Sequence, residues 1–554
     1  MHILFVNQYG YDAPNTVNID ALCRCLHDRG HRCMLALPAC EKQVEPPEKA
    51  PYGLLIYDFN ACHLEQTSIQ AIRAFAPDVV HAWVPRATAV LAAIQAAYLA
   101  DAPLIINHED DEATILRNAE LDPSVRKLIT HIEDRQPAPD LMQRMALDNN
   151  WYEWFARMSR AFSYTATDPV LYAIAHYRAA GFTAIWKPLT GKLSDAFDKP
   201  VHGLPPSLDV KRIGAMGLST DRKALLEKDF GIPAHQPVIL FLGTIYHFTE
   251  DFELLLHALG SPACRERDWH LVVTGRNQKP EITDRLIEYY DLRERYTFTG
   301  FQSGGTLQAL IQRADIAACP GLNNDWNRYR LPTKLAYYMA AGKAVITYRA
   351  GFGEDLVQGK QALLTESDAP EELRDRLVCL LDDPALRETI GKQARVFAEQ
   401  HFDIQQNVSA LLDFYAERIS SNDYPRRPTA ASFNTKDPLR AALERLRPLL
   451  EQYSIHSVAL YGAGKHTRRL LDYRNEDRSL LPCAVACIID DQPAREAMDD
   501  IPVRGTDDAL DIPFDALLLS SDAFELELFD RATQWLPRDR KILALYHSSL
   551  STRA

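Results

Sequence analysis

The sequence predicts an α/β protein of three doubly wound units in tandem, the third smaller than the first two. Three observations carry this expectation. Short apolar strands alternate with helical segments, the pattern of parallel sheets covered by helices on both faces. Glycines stand directly after strands, as in Phe241-Leu242-Gly243, Val273-Thr274-Gly275 and the loop from Gly462. The length of 554 residues also exceeds one ordinary domain and suggests about three or four.

The first unit, residues 1–195, opens with the strand Ile3-Leu4-Phe5-Val6. A helix follows from Ile19 to Arg29, closed by Gly30, and then a strand from Cys33 to Leu37. Strands at Val79-Val80 and Leu104-Ile105-Ile106 enclose another helix, and Lys187-Pro188-Leu189-Thr190-Gly191 reads as the exit from the unit. The second unit, residues 196–420, starts its sheet at Val238. Further strands fit His270–Val273, Tyr296–Phe298, Ile316–Ala318 and Val345-Ile346, and a long helical tail begins at Pro370. Residues 421–438 are a linker by composition. The third unit, residues 439–554, has a helix, a strand from Ser457 to Tyr461 and the loop Gly462-Ala463-Gly464-Lys465-His466-Thr467.

The most informative stretch is Pro332 to Ile346. A proline opens it, Lys334 follows, and Leu335, Tyr338 and Met339 form an apolar helical face. Gly342 closes the helix before the strand Ala344-Val345-Ile346. A helix that begins at a sheet edge offers free N–H groups and a dipole to an anion.

Composition excludes several classes. A net charge of −14 argues against non-specific nucleic-acid binding, which needs a dominant positive field. The apolar stretch from Ala87 to Ile106 is broken by Gln95, Asp101 and Pro103, so it reads as helix, turn and strand rather than a membrane span. The first residues are already a strand and lack the pattern of a signal peptide. Ten cysteines without zinc spacing read as thiols of a reducing cytoplasm, and no metal site is expected.

Taken together, these parts resemble the GT-B glycosyltransferases: two Rossmann-like domains facing across a cleft, followed here by a smaller C-terminal Rossmann-like domain. Within them the chain looks most like the large retaining family (glycosyltransferase family 4-like, glycosyl transferases group 1) that includes many cell-surface polysaccharide enzymes. The likeness covers about residues 1–415 and is strongest over 238–359. It implies a donor on the second domain, an acceptor on the first, and chemistry between them without a metal or other cofactor. The nucleotide-sugar donor is then a substrate. By the same resemblance, Gly243 and Thr244 approach the donor diphosphate, Gly275 and Arg276 lie near the nucleoside, and Phe301 flanks the base. Thr333 and Lys334 meet phosphate, Asp355 follows the next glycine turn, and His108 ends a first-domain strand that faces the cleft. Lys334 and His108 are the candidate catalytic residues.

The acidic run Glu109-Asp110-Asp111-Glu112 has two readings. One is a solvated loop and helix N-terminus. The other is a cleft edge whose Glu109 and Asp110 bond acceptor hydroxyls. Residues 151–162, with Trp151, Trp154, Phe155, Met158 and Phe162 on one helical face, also have two readings. They are core packing, or an aromatic surface for a sugar or lipid-linked acceptor, with Arg144, Arg157 and Arg160 supplying charge.

Two departures from the family stand out. The usual basic pair after the first glycine falls on Thr244 and on Thr249 or Glu250. The usual two glutamates fall on Tyr329 and Tyr337, the latter where a ribose-binding acid is expected. Lys334 with Arg276, Arg328 or Arg330 then meets the phosphate charge and Tyr337 contacts the donor; alternatively the donor is unusual; or the chain is a degenerate binding or partner subunit. In the third unit, Gly462, Gly464 and Asp490 match parts of a dinucleotide fingerprint, but Thr467 takes the place of its third glycine. Nucleotide binding and a structural or interaction role both remain open for it. The expected function is sugar transfer from a nucleotide-sugar to a glycan, lipid-linked or protein acceptor, in the cytoplasm or at the inner membrane face, with no nucleic acid as partner.

Overall fold

The computed structural model describes residues 1–10, 13–39, 50–60, 63–118, 178–245, 250–421, 438–493, 496–521, 525–537 and 540–545, together with 172, 175 and 176. The aromatic stripe of residues 151–162, Arg144 and Thr249 lie outside these, as does the linker apart from its two end residues. The chain forms two compact units, Met1–Arg427 and Pro428–Ala554.

The first unit contains two parallel sheets. Strands of the first are β1 (His2–Val6), β2 (Arg32–Pro38), β3 (Gly53–Tyr57), β6 (Val79–Ala82), β7 (Leu104–His108), β8 (Gly181–Ala184) and β9 (Val201–Gly203); a small hairpin, β4 (Phe59–Asn60) and β5 (His63–Leu64), stands apart. Their order is β3-β2-β1-β6-β7-β8-β9, all parallel. The first helix begins at Pro14, earlier than its apolar periodicity suggests, because proline suits the first helical turn. The segment from Lys187 is not an exit: it begins the helix Lys187–Phe197, and the sheet continues to β9. Strand β8 carries no apolar run, yet it is fixed by packing. A Cβ on Gly181 would stand 2.9 Å from the Phe414 ring.

The second sheet has β10 (Val238–Leu242), β11 (His270–Thr274), β12 (Tyr296–Phe298), β13 (Ile316–Cys319), β14 (Ala344–Tyr348) and β15 (Leu363–Thr365), in the parallel order β12-β11-β10-β13-β14-β15. The helical tail is three helices, Pro370–Asp382, Pro384–His401 and Ile404–Ser421. The last returns to the first sheet, where Val408, Leu411, Phe414 and Tyr415 join Ile3, Phe5, Ile19 and Leu22 in one core. There the Tyr415 hydroxyl lies 2.6 Å from His81 Nδ1, and burial pushes the His81 imidazole down to about 3, which keeps it neutral.

The C-terminal unit begins with the helix Pro438–Gln452. Its sheet comprises β16 (Ser457–Tyr461), β17 (Ala484–Ile489), β18 (Ala497–Met498), β19 (Ile501–Arg504), β20 (Ala516–Leu519) and β21 (Lys541–Ala544), ordered β18-β19-β17-β16-β20-β21. All pairings are parallel except β18 with β19.

Candidate functional site

The carboxyl edge of the second sheet is lined with glycine for a steric reason. Parallel register sets Leu242 beside Thr274 and Val273 beside Phe298, so Gly243, Gly275 and Gly300 end three adjacent strands. Hydrogen bonds link these ends: Gly243 N–H donates to the Thr274 carbonyl at 2.9 Å, and Gly275 N–H to the Gly300 carbonyl at 2.9 Å. Gly275 has φ of +143°, and a Cβ there would stand 1.9 Å from the Gly243 carbonyl oxygen. These strand ends therefore carry no side chains, on the edge where doubly wound sheets bind their ligands.

Lys334 leans over this edge. It occupies the first turn of the helix Thr333–Ala340, whose N-cap residue, Pro332, makes no side-chain cap. Its Nζ lies 4.6 Å from the Phe241 ring centroid and 3.5 Å from where a Cβ on Gly243 would be. Tyr338, fully buried on the inner face of the helix, accepts the Leu242 N–H at 2.8 Å and pins the helix beneath the glycine turn. Tyr337 packs half-buried against the core beside it, and burial raises its phenol pKa. Gly342, with φ of +67°, then turns the chain into β14.

One neighbour escaped sequence reading. Asp251, in the first turn of the helix Glu250–Gly260, has its carboxyl pKa raised by burial, against the lowering fields of Lys334 and Arg330. The family resemblance points instead to Glu250, one residue away, which faces solvent. An acidic first turn is an ordinary helix signal, and nothing local distinguishes this carboxylate from its neighbours.

The other candidate donor residues separate into two groups. Phe301 is 50% exposed, with the Arg276 guanidinium 5.1 Å from its ring centroid, a cation–aromatic pair just past β11 and β12. Arg328 is exposed and pairs with Asp325 at 3.5 Å. Thr244 lies half-buried directly after Gly243. Asp355 stands elsewhere: its carboxylate accepts the Trp186 indole N–H at 2.5 Å and the Lys187 ammonium at 3.0 Å. It ties the start of the helix Lys187–Phe197 to the second sheet's side of the unit, and so is not placed as a donor ligand.

On the first sheet, the acidic run does open a helix, Glu112–Asn118, but it is not a simply solvated loop, because each carboxylate has a partner distant in sequence. Glu109 accepts the Trp83 indole N–H at 2.9 Å, Asp110 pairs with Arg330 at 3.2 Å, Asp111 with Lys192 at 2.6 Å, and Glu112 with Arg86 at 3.1 Å. Asp111 and Glu112 are buried. Glu109 lines a small pocket with Trp83, Asn107, Ile185 and the segment 204–207, and burial pushes its carboxyl up to about 7.

His108 corrects the expectation of an imidazole open to the cleft. It is 1% exposed, its Nε2 lies 2.8 Å from His176 Nε2, and Tyr172 and Phe182 pack edge-on against it. Burial lowers its pKa to about 3. It is a core residue within an aromatic cluster.

In the C-terminal unit, Asp490 does meet the glycine loop, as an internal partner. Its carboxylate accepts the Ala463 N–H at 3.0 Å and the Gln492 N–H at 3.0 Å. The Thr467 hydroxyl donates to the Gly462 carbonyl and lies 2.9 Å from Ser520 Oγ, from which it can accept.

The chain is similar in sequence and fold to known glycosyltransferases. Residues 236–383 match the family model Glycosyl transferases group 1. The D-inositol 3-phosphate glycosyltransferase of Corynebacterium glutamicum is 26% identical over 203 residues, 35% of this chain and 47% of that protein. The 2-deoxystreptamine glucosyltransferase of Streptomyces kanamyceticus is 27% identical over 248 residues, 44% and 61% of the two chains. The chain thus spans about half the length of the curated relatives it matches. Among solved structures, Anabaena HepE with UDP and glucose superposes with a TM-score of 0.52 at 14% identity, covering 75% of this chain and 99% of that one. Sucrose-phosphate synthase of Thermosynechococcus elongatus gives 0.54 at 12% identity, covering 76% and 99%. The first unit has the GT-B fold, and its second sheet carries a Glycosyl transferases group 1 domain.

Proposed function

From that domain and fold, we propose that the protein is a glycosyltransferase that moves a sugar from a nucleoside diphosphate donor to an acceptor hydroxyl, with retention of anomeric configuration. The observation that carries the reading is Lys334: a cation in the first turn of a helix without a side-chain cap, poised over the bare backbone of Gly243. In the proposed reaction the bond between the anomeric carbon and phosphate oxygen breaks. The diphosphate leaves with the electron pair, the acceptor oxygen bonds to the anomeric carbon, and the acceptor proton passes to the leaving diphosphate. The helix N-terminus and Lys334 stabilise the charge that develops on the leaving group. HepE was solved with UDP and with UDP-glucose, which supports a nucleoside diphosphate donor. Glu109 and Asp110 define the acceptor side, and a glycan, lipid-linked or protein acceptor for cell-surface glycoconjugates fits the family likeness.

We place the reaction in the cytoplasm or at the inner membrane face. The eight cysteines among the described residues are free thiols, and no helix among those residues is long and apolar enough to cross a membrane. The test is calorimetric titration with UDP, GDP, ADP and CDP, followed by transfer assays with the sugar form of the nucleotide that binds. Anomeric NMR of the product tests retention. One observation favours a second reading, a binding subunit without transfer activity: Asp251 places an acid within the field of Lys334, where an anionic donor would be repelled. A folded protein that binds none of the four nucleotides would favour that reading.

A further inference from the structure

Of two adjacent residues of the acceptor-side acidic run, Asp110 meets the donor-side loop directly and Asp111 reaches it through Lys192. Asp110 pairs with Arg330, Nε to Oδ1 at 3.2 Å. Asp111 pairs with Lys192, whose ammonium stands 4.7 Å from the Tyr329 ring centroid. The two contacts differ in accessibility. Lys192 and Asp111 are 20% and 4% exposed, whereas Arg330 and Asp110 are 37% and 30% exposed. The first contact is a buried anchor. The second is a solvent-screened pair that another anion can replace at small cost.

Arg330 also stands beside the donor edge, two residues before Pro332, the N-cap of the helix that carries Lys334. Its field and that of Lys334 act on the same Asp251 carboxylate and on the same Cys319 thiol. Its guanidinium lies 5.6 Å from the Trp326 ring centroid, which holds the arm of the side chain while leaving its N–H groups usable. A guanidinium prefers a phosphate that can take two parallel hydrogen bonds over a carboxylate that takes one from Nε.

We propose that Arg330 is a donor-binding residue that couples the two substrates: Asp110 holds it in the free protein, and the donor diphosphate takes it over on binding. The released Asp110 carboxylate then faces the acceptor side with its hydrogen-bonding capacity open, and it accepts from an acceptor hydroxyl. Donor binding thereby prepares the acceptor site, and the two substrates add in the order donor, then acceptor. This inference rests on the proposed reading of the site as a nucleoside diphosphate-sugar transferase.

The experiment is a double-mutant cycle on nucleoside diphosphate affinity in the full chain. UDP, GDP, ADP and CDP are titrated calorimetrically into the wild type, Asp110→Asn, Arg330→Gln and the double variant, and melting curves check that each is folded. Asp110→Asn should bind the preferred nucleotide two- to fivefold more tightly, equivalent to about 0.4–1 kcal/mol, because nothing competes for Arg330. Arg330→Gln should bind it more weakly, and in that background Asp110→Asn should bring no gain. With a sugar acceptor, Asp110→Asn should raise acceptor KM while lowering donor KM, a split that loss of packing would not produce. Asp110→Glu, which keeps the charge, should restore wild-type behaviour and serves where the asparagine variant fails to fold. Unchanged or weaker nucleotide binding by folded Asp110→Asn overturns the inference, as does a gain that persists without Arg330, and both leave the transferase reading intact. A wild type that binds no nucleotide overturns both.

Discussion

Two glycine-bearing sheet edges in this chain share a plan and differ in what their side chains do. At the edge of the second sheet, Gly243 and Gly275 leave bare backbone, and Lys334 brings a cation over it from a helix without a side-chain cap. At the edge of the C-terminal sheet, Gly462 makes a similar turn, with φ of +112°. There, however, Asp490 accepts the Ala463 N–H and Thr467 donates to the Gly462 carbonyl. The loop's polar groups are answered from within. The N–H groups of Gly243 and Gly275 are likewise taken up, by the Thr274 and Gly300 carbonyls, so the two edges differ in their adjoining side chains: a cation stands over the first and a carboxylate closes the second.

Four experiments break or sharpen this contrast. The largest effect is expected from Lys334→Ala, which should reduce turnover about 100- to 1000-fold, the usual scale for losing one electrostatic stabiliser. A melting temperature within about 3 °C of wild type would show that folding is spared. Transfer at the wild-type rate would sink the assignment.

Next is Gly275→Ala. Its Cβ would press on the Gly243 carbonyl, so the variant should lose about 2–3 kcal/mol in denaturant titrations and bind nucleotide at least about tenfold more weakly. The matching change in the other loop, Gly464→Ala, meets nothing within 4 Å and should alter stability by less than about 0.5 kcal/mol.

Third is the pH dependence of Glu109. Its folded pKa, pushed to about 7, exceeds the ordinary value, so the folded state favours the protonated acid. The resulting stabilisation is full below about pH 4 and is lost as pH rises towards 7. Glu109→Gln should remove this slope, raising stability by about 1–2 kcal/mol at pH 8 while leaving it nearly unchanged at pH 4. Thermal melts across that range give the comparison, and parallel curves for the two proteins would contradict it.

The smallest effect is expected from Asp490→Ala, which removes the acceptor of two backbone N–H groups. It should cost about 1 kcal/mol in the unfolding of the C-terminal unit and leave nucleotide affinity of the full chain unchanged. A fall in nucleotide affinity would place a second nucleotide site in that unit.

What could be read in advance follows the range of the interactions. The segment Pro332–Ile346 is governed by local rules, namely proline at a helix start, glycine after its end and apolar spacing between, and its structure follows them. The acidic run and Asp355 misled because their partners are remote: Arg330 is 220 positions from Asp110, and Trp186 is 169 from Asp355. No periodicity encodes such pairings. His108 misled for a related reason, since a histidine at a strand end looks alike in sequence whether it faces a cleft or an aromatic core. Strand β8 was invisible because its Gly-Phe-Thr-Ala is defined by the room it leaves for Phe414.

The return of the helix Ile404–Ser421 to the first sheet has a consequence for inheritance. The hydrophobic interior beneath β1 is completed by residues encoded some four hundred positions later, and His81 shares a proton with Tyr415 across that gap. Recombination that exchanged the second sheet alone would have to splice at two points, keeping the native tail or supplying one of the same shape. A single crossover would leave the first sheet with a foreign lining. The two halves of the unit therefore share one interior, and any replacement of the second sheet has to preserve the side chains that the returning helix lays beneath β1.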